Sequence, residues 1–455
     1  METPPALAPL FLAEKPLPPR PTSFFYMLGL MLVALAMVLL PVVYLGLTVL
    51  AGYGVYWFST NVFLSIWAWH GNGRMMLLLK FICSATPLLV GGCIALFMVK
   101  PFFARRAKPP QPYALAPGAE PLFHEFVQKI CALVGAPVPR EIRLDCDVNA
   151  SAGFRRGFFS LFGSDLVLTV GMPLIAGLSA RQLAGVIAHE FGHFTQGTAM
   201  RLSYLIRRVN GWFVRVIFER DSWDAALDEW QSSSESWVSL MFACARAGVG
   251  LSRMVLRALM LTGHAICSFL MRQMEYDADR CEIALAGSEA FEQTMLRMGE
   301  LGTVRGTLYE KMRETWKTSH RVPDNVPVLI AHHAADIADD TRQKISTAML
   351  AEKTGWLDTH PASADRIAAA RRADSPGIFT EEMPAQELLE NFRPLSRIVT
   401  LAHYEDDFEI PTTEDFLIPV DAVLRPPEAE APVPAPAVPL PQAPRWQGPP
   451  TASSE

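Results

Sequence analysis

Charge is scarce in this chain, and one stretch has none. Asp, Glu, Lys and Arg make up 19% of the 455 residues, against about 25% in typical soluble domains. Between Arg20 and Arg74 there is not one of them, and half of all residues are hydrophobic. That composition argues against an ordinary soluble domain and for a membrane protein. A basic surface is missing too. The 40 Lys and Arg are outnumbered by 46 Asp and Glu, for a net charge of -6, so nothing favours nucleic acid. Cysteine is sparse: seven residues, an odd number, with Cys83 and Cys93 inside an apolar run. This excludes a disulfide framework and fits a reducing compartment. Cys131, Cys146, Cys244, Cys267 and Cys281 show no paired metal spacing and read as core or surface thiols. A cleavable signal peptide is not expected either. The first apolar run is too long, no basic region opens it, and a second run follows.

What is present begins with those runs. Phe24 to Leu50 exceeds the ~20 residues that a spanning helix needs, and Pro41 is placed to kink it. Phe81 to Val99 is a second uncharged run, preceded by Lys80, whose amine can snorkel to the interface. Gly71-Asn-Gly-Arg74 turns the chain between them, giving a helical hairpin. The organisation expected is a tail over 1–22, two transmembrane helices over 23–100, a linker over 101–117 and a catalytic region over 118–424. Last comes a Pro-rich tail over 425–455, with ten prolines and no means of forming a core. Lys15 and Arg20 precede the hairpin, and Lys100, Arg105, Arg106 and Lys108 follow it, whereas its turn holds only Arg74. Positive residues stay cytoplasmic, so both ends are expected there.

The chemistry centres on VIAHEFGHFTQG, which contains His189-Glu190-x-x-His193. Residues four apart share a helix face, so the two imidazoles can converge on one metal ion. Glu190 then reaches a water on that ion. Ser179 with Gln182 reads as a capping box, and Leu183, Val186, Ile187, Ala188 and Phe191 supply the apolar face. Leu166 to Val170 before it reads as a strand. A satisfied core histidine pair is the alternative reading. A catalytic zinc needs three protein ligands and an open position. No histidine stands six residues after His193, where Ala199 lies instead. The candidate third ligand is Glu275 of Glu275-Tyr-Asp-Ala-Asp279. Asp279, one turn on, can accept the free ring N–H of a ligand histidine and fix its tautomer. An acidic solvated helix turn is the alternative for that stretch.

HEFGH followed about eighty residues later by EYDAD resembles the family of membrane zinc metalloendopeptidases that includes HtpX and the CAAX prenyl proteases with an ExxxD motif. Asp147-VNASA-Gly153 resembles that family's Asn-Ala-x-Ala segment, and Thr359-HPASADR-Ile367 its Thr-His-Pro…Arg-Ile motif. The four motifs keep the family's order over roughly half the chain. The resemblance implies a mainly α fold with a small β-sheet: a transmembrane hairpin followed by a zincin-like domain of the gluzincin kind. It implies one Zn2+ per chain on His189, His193 and Glu275, with Glu190 as general base and Asp279 completing the catalytic set. His360 or Arg366 is placed to stabilise an oxyanion, and His360 alternatively to plug the metal.

The implied activity is peptide-bond hydrolysis by a zinc endopeptidase in the bacterial inner membrane, with a cytoplasmic catalytic domain. Substrates are expected to be proteins or peptides, chiefly misfolded or damaged membrane proteins, with the lipid bilayer as the other partner. A prenyl protease is the first alternative, though that branch needs more spanning helices than are found here. A zinc-stabilised scaffold or chaperone is the second, though it has no use for Glu190. The substrate is expected to pair with an exposed edge strand, for which Leu166 to Val170 is the candidate.

Within the interval between the zinc motifs, the segment Gly211 to Met271 resembles no known segment. Asp221, Asp224, Asp228 and Glu229 read as a solvated helix face. Within 237–271, Arg246, Arg253 and Arg257 fall on one stripe and the final uncharged run is short for a span. A membrane-associated, interfacial amphipathic helix fits best, with a further membrane pair or a buried helix as alternatives. His332 and His333 point about 100° apart on a helix and read as surface residues. The sequence sets no oligomeric state.

Overall fold

The computed structural model describes residues 16–17, 24–71, 73–103, 112–155, 165–195, 198–218 and 236–424, without the side chains of 198–200 and 236–245. The Pro-rich tail, most of the N-terminal tail, residues 104–111 of the linker, and the acidic run from Asp221 to Glu229 lie outside the described residues.

The charge-free run forms helix α1 (Phe24–Trp57), which continues through a π-helical turn to Trp67. It passes through Pro41 as one helix. At 1.5 Å per residue these 44 residues reach about 66 Å, twice the ~30 Å of a bilayer core. Helix α2 (Arg74–Phe103) returns beside it, and Lys80 Nζ donates to the carbonyl of Trp67 at 3.2 Å. The hairpin is therefore as expected. Its buried stripe, Leu30, Ala34, Met37, Leu40 and Tyr44, repeats every three or four residues, while Met31, Leu32, Leu35 and Leu39 remain exposed.

That stripe packs on two more helices. One side is covered by Ile206, Phe213 and Ile217, and another by Leu256, Met260, Cys267 and Met271. These belong to helices from the unassigned interval, Thr198–Phe218 and Ser236–Ala286. The second, 51 residues long, contains the stretch expected to lie on the membrane surface. It packs lengthwise along the hairpin. Gly263 meets Met37 and Leu40, and Gly248 meets Cys93 and Phe97. Tyr44 donates to the carbonyl of Met98 at 3.0 Å and shares a 2.8 Å hydrogen bond with Ser252, so one phenol joins three helices. Among the described residues, three helices are long and apolar enough to cross a membrane: Phe24–Trp67, Arg74–Phe103 and Arg246–Ala286.

The remaining chain builds a mainly helical domain around a small sheet. Strands β1 (Tyr113–Ala114), β2 (Glu141–Asp145), β3 (Ala150–Phe154) and β4 (Leu166–Gly171) lie in the order β1-β2-β4-β3. β2 runs parallel to β4, and β3 antiparallel to it. This corrects one expectation. Leu166 to Val170 is not an edge; it is paired on both sides. All but Thr169 of its residues are buried, and such a continuous apolar run marks a strand covered on both faces. Among the described residues the edges are β1 and β3, the latter the small-residue segment Ala-Ser-Ala-Gly-Phe. Gly171 closes β4 where a Cβ would fall 1.7 Å from the Asp147 carbonyl, so the β2–β3 loop requires glycine there. Helix α3 (Pro121–Val134) covers the sheet with Phe123, Phe126 and Ile130, in one core with Leu144, Leu168 and Ile187. Cys131 and Cys146 are buried free thiols, and His332 and His333 are exposed, as expected.

Candidate metal centre

Two helices meet to make the site. A short helix α4 (Met172–Gly177) follows β4, and α5 (Ala180–Gly192) then starts at Ser179. Ser179 accepts from the Gln182 amide, and the Gln182 side chain accepts from Ser179 N–H at 3.0 Å, the expected capping box. α6 is Thr198–Phe218 and α7 is Ser236–Ala286. α7 crosses α5 closely because two glycines stand at the contact. A Cβ on Gly192 would lie 3.1 Å from Ala278 Cα, and one on Gly185 would lie 3.1 Å from Ala286 Cβ and Glu282 Cγ. The Gly of HEFGH is thus a packing requirement. It lets the ExxxD turn of α7 reach the HExxH turn of α5.

The structure brings the three candidate ligands together. His189 Nε2 is 3.5 Å from Glu275 Oε2, and His193 Nε2 is 3.8 Å from Glu275 Oε1. The donors of His189, His193 and Glu275 all lie within 4.8 Å of one another. Two imidazole nitrogens and a carboxylate are the donors of a three-ligand catalytic zinc site. Tetrahedral ligands at ~2.1 Å from zinc stand ~3.4 Å apart, close to the separations found. The residues present fit the metal.

Behind His189 stands a layer of carboxylates. Asp279 Oδ1 is 3.0 Å from His189 Nδ1, an ionic contact off the line of a hydrogen bond, and Glu282 Oε2 is 3.6 Å away. Burial opposes the charged imidazole, but the Asp279 and Glu275 carboxylates outweigh it and lift the pKa of His189 to about 10. His193 goes the other way. Burial and the neighbouring His189 charge push it well below its ordinary value, leaving the neutral form that coordinates metal. Arg366 forks onto Asp279 with Nε at 2.9 Å and Nη2 at 2.5 Å, and its guanidinium lies over Phe291. Arg366 is thereby joined to the carboxylate that supports His189. His360 keeps an exposed ring, with Nδ1 3.4 Å from Glu275 Oε1.

Glu190 faces the free edge of the sheet. Its Oε2 accepts from Ala152 N–H on β3 at 3.1 Å. Burial raises its pKa above the usual carboxylate value, with the His189 charge opposing. A proton acceptor therefore stands beside the metal ligands and against β3, on the side where no strand pairs with it among the described residues.

Three participants were not anticipated. Glu282 is buried beside His189. Its spacing from Glu275 and Asp279, seven and three residues, was a legible signal of a shared helix stripe. Ala152 sits inside a motif recognised only as a resemblance. Arg207 of α6 donates to Glu275 Oε1 at 3.0 Å; fourteen residues beyond His193 and without a motif, it gave no signal.

Residues 119–374 match the sequence pattern of Peptidase family M48, more than half of the chain. The chain belongs to peptidase family M48. It is a metallopeptidase by that membership, and proteins are its substrates. Among curated proteins it is similar to "Protease HtpX" of Acinetobacter baumannii strains AYE, SDF and AB307-0294. In each case 24% of 316 residues are identical, covering 68% of this chain and 91% of the relative. No solved structure matches the chain. The M48 span contains every residue of the candidate centre and the α6–α7 interval, and leaves the hairpin outside.

Proposed function

We propose that the protein is a membrane-bound, zinc-dependent endopeptidase that cleaves membrane proteins in quality control. The observation that carries this reading is the convergence of His189, His193 and Glu275 donors with Glu190 beside them, facing the sheet edge β3. His189, His193 and Glu275 would hold the zinc. When bound, zinc supplies Lewis acidity and lowers the pKa of water from 15.7 toward ~7.

The chain's own groups do the rest. A substrate segment extends along β3, the free edge, with backbone pairing as in strand addition. Glu190 removes a proton from the attacking water and delivers it to the leaving amine. Its raised pKa suits both halves of that transfer. Asp279, held by Arg366, keeps the His189 ring oriented. His360 reaches the Glu275 carboxylate from the exposed side and is placed to assist the developing oxyanion or to cover the site. The name of the similar relatives, Protease HtpX, agrees with proteolysis.

The hairpin, with helix Arg246–Ala286 packed along it, supports membrane anchorage. The positive residues flanking the hairpin support a reading with both termini and the centre in the cytoplasm of a bacterial cell, at the inner membrane. Substrates are then reached at their cytoplasmic segments.

The test is Glu190→Gln. The substitution is nearly isosteric but cannot take up the proton. Cleavage of a membrane-protein substrate should fall by ~10²–10⁴, with zinc content and melting temperature unchanged. Equal cleavage by both proteins would refute the role of Glu190.

A further inference from the structure

The guanidinium of Arg207 occupies an unusual place for a cation. Its Nη2 donates to Glu275 Oε1 at 3.0 Å and stands 3.4 Å from His193 Nε2. Both are atoms that a metal would need. His193 Nε2 also faces that carboxylate oxygen at 3.8 Å, and His360 Nδ1 faces it at 3.4 Å. Glu275 is 3% exposed, and a buried carboxylate without a counter-charge is strongly destabilising. Arg207 is not confined: its side chain is 41% exposed. On α6 the buried residues Ile206, Phe213 and Ile217 face the helical bundle, and Arg207, about 100° round from Ile206, reaches the ligands from another side.

We infer that Arg207 is a displaceable internal cation. With His189, whose Nε2 is 3.5 Å from the other carboxylate oxygen, it balances Glu275 while the centre is metal-free, and it yields when metal binds, so metal occupancy is set in part by competition between zinc and the guanidinium. The inference rests on the zinc reading above. Its physical basis is that the Glu275 carboxylate and the His193 Nε2, both within 3.4 Å of the guanidinium, cannot fully serve two cations at once. The long, partly exposed stem lets Arg207 withdraw without moving α6. In the metal-free protein the same contact ties α6 to α7 and keeps the ligand set assembled.

The experiment uses the full-length protein in detergent, with zinc affinity read by competition against a chromophoric chelator. Arg207→Ala should bind zinc about three- to tenfold more tightly than the wild type. Its metal-free form should melt several degrees lower, while its zinc-saturated form melts as the wild type does. Unchanged affinity overturns the inference. So does weaker binding with both forms destabilised alike, which would make Arg207 a fixed support of Glu275. If Arg207→Ala does not fold without metal, Arg207→Gln purified with zinc decides through its zinc dissociation rate. A slower rate supports competition, and an equal or faster rate refutes it. If neither the wild type nor any variant takes up zinc, the zinc reading itself fails and this inference with it.

Discussion

Replacing Arg366 by Met tests how the centre is held. The guanidinium makes two hydrogen bonds to Asp279, whose side chain is 3% exposed against 17% for Arg366. Met retains an apolar stem against Phe291, which the guanidinium overlies at 5.7 Å, so packing loss is small. What is lost is the counter-charge of a buried carboxylate. Removing one partner of a buried pair costs about 3–5 kcal/mol. For a domain of this size each kcal/mol lowers Tm by about 2–4 °C, so the drop should be about 6–20 °C. Zinc affinity should fall by about 10- to 100-fold as well, the usual effect of removing support behind a ligand histidine. The assay is thermal melting of detergent-solubilised protein with and without zinc, beside chelator competition. Arg366→Met combined with Asp279→Asn should recover part of the loss, because the stranded charge is gone. A Tm drop under about 2 °C, or a double variant as unstable as the sum of the singles, would refute the idea that Asp279 depends on Arg366.

Two further outcomes follow from the same geometry. Glu275→Ala should abolish zinc binding in metal analysis, since His189 and His193 alone leave the site one ligand short; full occupancy would move the third ligand elsewhere. Zinc affinity should rise up to ~tenfold per pH unit between pH 7 and 9. His189, lifted to about 10 in the metal-free protein by its carboxylates against the effect of burial, must lose a proton to coordinate. Its folded value lies above the unfolded one, so it stabilises the metal-free fold fully below about 6.5 and progressively less as pH approaches 10. His193, already neutral, adds no slope. A flat affinity profile measured by chelator competition would refute this.

The helices, and the residues meant to meet, were readable because their information is local. HExxH places two imidazoles one turn apart on any α-helix. Ser179 and Gln182 mark its start without reference to the rest of the chain. Glu275 and Asp279 carry the same four-residue spacing. The edge strand was misplaced for the opposite reason. Strand propensity favours Leu166 to Val170, but a run of large apolar residues needs cover on both faces and so belongs inside the sheet. Ala150 to Phe154 has poor strand propensity, and only its antiparallel pairing with β4 makes it an edge. Arg207 and the packing of Ser236–Ala286 along the hairpin depend on contacts between segments far apart in sequence, which no spacing encodes.

The centre is therefore divided between two supports. His189, Glu190 and His193 belong to α5, which shares one core with the sheet through Ile187 and Phe191. Glu275, Asp279 and Glu282 belong to α7, whose earlier turns pack on the hairpin through Gly263 against Met37 and Leu270 against Gly29. The ligand set exists only while these two bodies keep their register, and that register is fixed where Gly185 and Gly192 admit α7. α7 is one helix over all 51 residues, so a shift of its bundle-packed end is carried directly to Glu275. About 1 Å of sliding would exceed the tolerance of a zinc–ligand distance, near ±0.2 Å. In this fold the packing of the apolar helices is thus a condition of the metal geometry, beyond any role as an anchor.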